Sequence, residues 1–198
     1  LDRFKLKIAG DVAGDHDRVR EVLSVIEAHC DDFAFTLDAN EQYRSVDDLA
    51  RLIDRLRADP EIEAVEDRLL FVEQPFPRGI ALSDRVAEGL AAWEGRPPVV
   101  IDESDGPLDS FGRALEAGYE GTSYKNCKGV FKGLVNACLA ATRRAAGEPA
   151  IISGEDLTTI GPVSLQQDLA AVATLGLEHV ERNGHHYFRG LGMFEPDV

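Results

Sequence analysis

Three short apolar runs in this chain each end in acid, and that repeated feature narrows the folds open to it. Phe35-Thr36-Leu37 leads into Asp38-Ala39-Asn40, Leu69-Leu70-Phe71-Val72 into Glu73-Gln74-Pro75, and Val99-Val100-Ile101 into Asp102-Glu103-Ser104. Short runs of β-branched and large apolar residues read as strands buried on both faces, as in a parallel sheet. The acids stand 35 and 29 residues apart, room for one strand–helix–strand unit each time. Successive parallel strands that each bring a carboxylate to one rim are how a (β/α) TIM-like barrel builds a site. Oxygen-only ligands of this kind suit Mg²⁺, which keeps open positions for water or substrate.

The rest of the chain fits that frame. Phe4-Lys5-Leu6-Lys7-Ile8 alternates apolar and charged residues, a strand with both lysines on one face. Residues 10–14 read as a loop, followed by a helix from Asp15 to His29. Ser45 has the chemistry of an N-cap with Asp48 at N3, and Leu49, Leu52, Ile53 and Leu56 form the buried stripe that follows. Asp59-Pro60 stops that helix, and residues 61–68 are an acidic insert. Ser83 to Trp93 reads as a helix ended by Gly95-Arg96-Pro97-Pro98, and Ser110 to Ala117 as one closed by Gly118. Thr122 to Lys125 is a weaker strand, Gly133 to Ala146 a helix, Ala150 to Ser153 a strand and Ser164 to Leu175 a helix. The aromatic and glycine-rich stretch 184–194 is expected to hold a last strand. About six strand-then-helix units without a linker predict one domain over 1–198.

Composition excludes several partners. A net charge of −15 offers no basic stripe for nucleic acid. No apolar run approaches the length of a membrane span. Three cysteines (Cys30, Cys127 and Cys138) without CxxC spacing indicate neither a disulfide framework nor a zinc site. A cytoplasmic protein is expected. The chain opens on Leu1-Asp2-Arg3-Phe4-Lys5, mid-element and without Met, which reads as a fragment or a processed product.

Charged groups therefore close five strands: Lys5 and Lys7, Asp38, Glu73, Asp102 and Lys125. A lysine beside a divalent cation favours its neutral form and becomes a competent base. Such a site can take a proton from carbon next to a carboxylate while the metal holds the developing charge. Each residue alone has a plainer role as a helix cap, turn residue or solvated lysine; the ordered series carries the reading.

That series also resembles a family. Lys5-x-Lys7, Asp38-Ala39-Asn40, Glu73-Gln74-Pro75, Asp102-Glu103-Ser104 and Lys125-x-x-Lys128-Gly129 are similar, in order, to the motifs of the enolase superfamily, in its muconate-lactonizing-enzyme-like subgroup. The superfamily's pairing of a lysine or histidine base with Mg²⁺ is a known one. The resemblance implies that Asp38, Glu73 and Asp102 bind Mg²⁺ and that Lys7 and Lys125 are opposed bases. It implies that Lys5 holds the substrate carboxylate and helps keep Lys7 neutral, with Asn40 and Glu103 supporting the ligands from behind. Gly154-Glu155-Asp156 takes the seventh-strand position, where Glu155 shapes the substrate pocket. The implied reaction is abstraction of an α-proton from a small carboxylate substrate through an enediolate. Two opposed lysines favour a racemase or epimerase acting on a dipeptide or N-acyl amino acid. A cycloisomerase, or a dehydratase like o-succinylbenzoate synthase, would use the same groups. A homologue that keeps only a binding or scaffolding role is the competing class, and a metal-dependent lyase on an unrelated barrel ranks last.

The chain departs from the family in four places, one of them an Asp38–Glu73 gap a few residues longer than the family's. Gly129-Val130 replaces a Gly-Gly pair, though Lys125 at the strand end remains a better candidate than Lys128 or Lys132. The eighth-strand acidic motif is replaced by Arg182-Asn183-Gly184-His185-His186-Tyr187, in which the histidines read as structural. The sequence as given starts at the family's second barrel strand, so either a longer parent chain that carries the N-terminal capping domain and first strand, or an assembly such as a homo-oligomer that covers the open edge, is expected.

Overall fold

The computed structural model describes residues 2–62, 65–155 and 162–181, and the chain divides into two compact units, Leu1–Glu120 and Gly121–Val198. In the first unit β1 (Arg3–Lys7), β2 (Ala34–Asp38), β3 (Leu69–Glu73) and β4 (Val99–Ile101) pair in parallel, in chain order. The intervening helices are α1 (Val12–Glu27), α2 (Val46–Ala58), the single turn α3 (Val65–Arg68) and α4 (Asp84–Ala92), with α5 (Ser110–Glu116) after β4. Among the described residues no helix is long and apolar enough to cross a membrane.

Alternation along each strand sorts the side chains onto two faces. Leu6, Leu37, Val72, Val99 and Ile101 join one core with Val19 and Leu23 of α1 and Leu49, Leu52, Ile53 and Leu56 of α2. That is the helix-covered face. The other face carries Lys5 and Lys7, Thr36 and Asp38, Phe71 and Glu73, and Val100. Phe71 and Val100 are buried yet lie outside that core cluster, as this assignment requires.

One irregularity decides how this second face is composed. β2 and β3 start in register at Phe35↔Leu69, but the next pair is Thr36↔Phe71, so β3 carries one extra residue. The shift makes Asp38 the partner of Glu73. A one-residue change of register moves every side chain to the opposite face. Unshifted, Asp38 would lie beside Val72 and the Glu73 carboxylate would fall out of its row. Lys7↔Asp38 and Asp38↔Glu73 instead form one continuous line. Glu73 pairs with Val100, so Asp102 lies two residues further along on the same face.

In the second unit β5 (Gly121–Tyr124), β6 (Ile151–Glu155) and β7 (Val180–Glu181) are parallel and in chain order, with α6 (Val130–Ala145) and α7 (Val163–Leu175) between them. A 3-10 turn, Asn126–Lys128, links β5 to α6 through Gly129, whose φ of +102° suits a residue without Cβ.

Sequence signals place the elements well and some of their ends less well. Ser45 caps α2 as expected: its hydroxyl accepts from the Asp48 amide at 3.1 Å and donates to Asp48 Oδ2 at 2.7 Å. Helix α1 starts at Val12 rather than Asp15, because the Asp11 carboxylate accepts from the Ala13 amide and caps the helix one turn early. Helix α6 likewise begins before Gly133, and β6 runs on to Glu155. Strand β7 lies ahead of the 184–194 stretch, which falls outside the described residues, as do His185 and His186. Ser45→Ala is expected to lower stability by about 1 kcal/mol through loss of this cap, read as a shift in urea midpoint with an unchanged slope.

Candidate functional site

Asp38, Glu73 and Asp102 are each at most 2% exposed. Carboxylates so far from water must be paired or neutralised. Lys5 Nζ stands 2.7 Å from Glu73 Oε2 and 3.3 Å from Asp38 Oδ2, and Lys7 Nζ also pairs with Asp38 Oδ2. The two lysines differ in access: the Lys5 side chain is 10% exposed and that of Lys7 51%. Asp38 Oδ1 accepts from the Asn40 amide at 3.0 Å. Glu73 Oε1 has no hydrogen-bond partner among the described residues. Glu73 and Asp102 each present a carboxylate oxygen within 4.8 Å of the other.

Electrostatics follow from this crowding. Burial, the largest influence, pushes the Glu73 carboxyl up to about 7; Lys5 opposes the rise, and the Asp38 and Asp102 charges add to it. Three buried carboxylates face two ammonium groups, one of which reaches solvent. The donors are all oxygen, one buried oxygen is unpartnered, and negative charge is in excess. A hard divalent cation fits such a set; within this unit Glu73 and Asp102 bring carboxylate oxygens close enough to share one, whereas Asp38, the third predicted ligand, is drawn to Lys5 and Lys7 and is not part of that close group.

The loops that carry these groups are locked by residues whose sequence signal was weak. Gln74, fully buried and at φ +36°, accepts at Oε1 from the Asp102 amide (2.7 Å) and the Ser104 amide (3.0 Å). Its Nε2 donates to Phe76 O and to Ser104 Oγ, both at 2.7 Å. One side chain thus fixes the turn that aims Asp102. Asn40 Nδ2 donates to Glu103 Oε1 at 3.1 Å, which joins the loops after β2 and β4. Asp15 accepts from the Ala9 and Gly10 amides at 2.7 and 2.8 Å and from the Tyr43 hydroxyl at 2.7 Å, tying the loop after β1 to that after β2. Burial first, then Asp15, raises the Tyr43 pKa far above its ordinary value, so the phenol stays a donor. Gln74 sat inside a recognised motif with no role assigned. Asp15 and Tyr43 gave no signal, since their contact spans 28 residues.

In the second unit Lys125 directly follows β5, and its Nζ is 2.7 Å from Glu155 Oε2, both side chains being nearly buried. Ser123 pairs with Ser153 and Tyr124 with Gly154, so Lys125 and Glu155 continue the next row on the face that Ser123 and Ser153 share. Lys128 Nζ instead donates to Ser123 O at 2.7 Å, and Lys132 is buried on α6. The strand-end Lys125 thus faces a carboxylate on the polar face of the sheet.

No family model matches the chain, and no curated protein matches it in sequence. Solved structures do match its fold. The 3,6-anhydro-D-galactonate cycloisomerase of Zobellia galactanivorans superposes with a TM-score of 0.65 at 14% identity, over 92% of this chain and 46% of that one. A mandelate racemase/muconate lactonizing protein of Paracoccus denitrificans, complexed with magnesium, gives 0.60 at 17% identity, over 94% and 49%. L-talarate dehydratase of Polaromonas sp., complexed with Mg and L-glucarate, gives 0.54 at 17% identity, over 90% and 40%. The fold is therefore the fold of the mandelate racemase/muconate lactonizing enzyme structures. The chain spans about half the length of the structures it matches.

Because the Glu73 carboxyl is raised from 4.5 to about 7 on folding, its contribution favours the native state at low pH and is lost as pH rises through that range. In metal-free protein, wild type should therefore lose stability relative to Glu73→Gln between these two pH values. Urea midpoints of the two proteins across this range check it; a constant difference would show that Glu73 ionises as it does in water.

Proposed function

We propose that this chain belongs to the enolase superfamily and forms the catalytic barrel of an Mg²⁺-dependent enzyme that abstracts the α-proton of a small carboxylate substrate. The observation that carries the proposal is the row Lys7–Asp38–Glu73, with Asp102 on the same face: three buried carboxylates next to two lysines of unequal access. Mg²⁺ held by Asp38, Glu73 and Asp102 would act as a Lewis acid for the negative charge that grows on the substrate carboxylate as the proton leaves.

The remaining roles belong to the chain's own side chains. Lys7 is half exposed at a strand end, where a substrate carbon can reach it, and is the first base. Lys5, paired with Glu73 and Asp38 and less exposed than Lys7, is the group assigned to the substrate carboxylate. Lys125, paired with Glu155, is the second proton-transfer group. The ordered motifs supply two lysines as candidate proton-transfer groups, which favours racemisation or epimerisation of a dipeptide or N-acyl amino acid. The matched folds include a cycloisomerase and a dehydratase, so ring closure or loss of water from the same intermediate are the alternative outcomes.

The test is α-proton exchange in D₂O with Mg²⁺, followed by NMR over dipeptides, N-acyl amino acids and sugar acids. Exchange should require the metal and fall by about 10²- to 10⁴-fold in Lys7→Ala and in Lys125→Ala. Deuterium retained at the α-position of unchanged substrate identifies an epimerase, and a new chromophore a dehydratase. Metal-independent exchange, or full activity without either lysine, would refute the proposal.

A further inference from the structure

We infer that Asp168 on α7 is a positioning residue for Lys125, acting through Asn126 and Tyr124; the inference rests on Lys125 being a proton-transfer group. Alternation at the end of β5 sends Tyr124 and Asn126 to one face and Lys125 to the other. The Tyr124 ring packs closely on α6: a Cβ at Gly133 would come within 2.3 Å of Tyr124 Cε2. The Tyr124 hydroxyl donates to Asn126 Oδ1 at 2.5 Å, and Asn126 Nδ2 donates to Asp168 Oδ1 at 2.6 Å. Burial raises the Tyr124 pKa and the Asp168 charge adds to it, so the phenol remains protonated and the amide has one workable orientation.

Asp168 is 5% exposed although it lies on a helix whose neighbours Gln167 and Leu169 are exposed. A buried carboxylate is retained where it holds something in place. What it holds has little stiffness of its own. The turn after β5 is a three-residue 3-10 segment closed by two backbone bonds, Lys128 N to Lys125 O and Gly129 N to Asn126 O, and it ends in a glycine at positive φ. Lys125, extended at φ −139° and ψ 138°, is the hinge between strand and turn. Clamping the residue on either side from the rear fixes its Cα, and the Glu155 ion pair in front then fixes its amine. A catalytic amine displaced by about 1 Å loses much of its effect.

The experiment uses the full chain with its lysines reductively ¹³C-methylated, the Lys125 resonance being assigned by its absence in Lys125→Arg. Wild type should show Lys125 as a resolved signal apart from the exposed lysines. Asp168→Ala should move it toward them or broaden it, whereas Asp168→Asn, whose amide oxygen still accepts from Asn126, should keep it in place. Circular dichroism and thermal unfolding establish that each variant is folded. If Asp168→Ala does not fold, Tyr124→Phe, which removes the hydroxyl from the same chain of bonds, supplies the reading in its place. An unmoved Lys125 signal in the folded variant, or equal disturbance by Asn and Ala, overturns the inference. In exchange-active protein Asp168→Ala should also lower kcat by about 10- to 100-fold with KM little changed; an unaltered kcat overturns it too. Absence of exchange in wild type would refute the proposed function instead, and the Lys125 resonance would still decide the role of Asp168.

Discussion

Negative charge buried on one face of a parallel sheet is the constraint around which the first unit is arranged. Three carboxylates at most 2% exposed cannot stay ionised together without compensation. Without metal the compensation is partial. Lys5 lies between Asp38 and Glu73, Lys7 reaches Asp38 from the solvent side, and the Glu73 carboxyl rises toward neutrality. The unpartnered Glu73 oxygen marks what the protein side chains do not supply. A divalent cation would supply it. The acids and lysines of the row are thus coupled through shared charge, and no member of the row can change without altering its neighbours.

Backbone detail makes this arrangement possible. The extra residue in β3 brings Glu73 beside Asp38 on the polar face, while Leu37 and Val72 keep their places in the helix-covered core. Gln74 then uses three of its four hydrogen bonds to fix the turn after β4 and the fourth to hold Phe76 O in its own loop, and Asn40 and Glu103 join the turns after β2 and β4. Asn40 and Gln74 both stand at positive φ, a strained state for side chains of this kind, two residues after Asp38 and one after Glu73. Such strain persists because the surrounding bonds over-determine it, and it falls where the ligands need to be aimed.

Much of this was legible in the residues. The acid-terminated runs, the Lys-x-Lys alternation and the Ser45 cap are local signals, and local signals survive folding because strand alternation and helix capping are decided within a few residues. The fold class followed from their order. What could not be read depends on contacts between distant segments. The register shift in β3 is invisible in Leu69-Leu70-Phe71, since either register buries apolar side chains. Asp15 reads as an ordinary first-turn acid until Tyr43 is placed above it, and Asp168 reads as a solvated helix residue until Asn126 is. The early start of α1 was missed for a local reason, because Gly10 and Gly14 suggested a loop on both sides of the cap Asp11.

The account stands most directly on Asp38, Glu73 and Asp102 forming one cation site, and a Mn²⁺ titration followed by electron paramagnetic resonance tests that claim without any knowledge of the substrate. Run on wild type and on Asp38→Asn, Glu73→Gln and Asp102→Asn, it should show one bound ion per chain. Each substitution should weaken the affinity by at least about tenfold, since each removes a charged oxygen ligand. No bound ion in wild type, or a variant that binds as wild type does, would contradict the account.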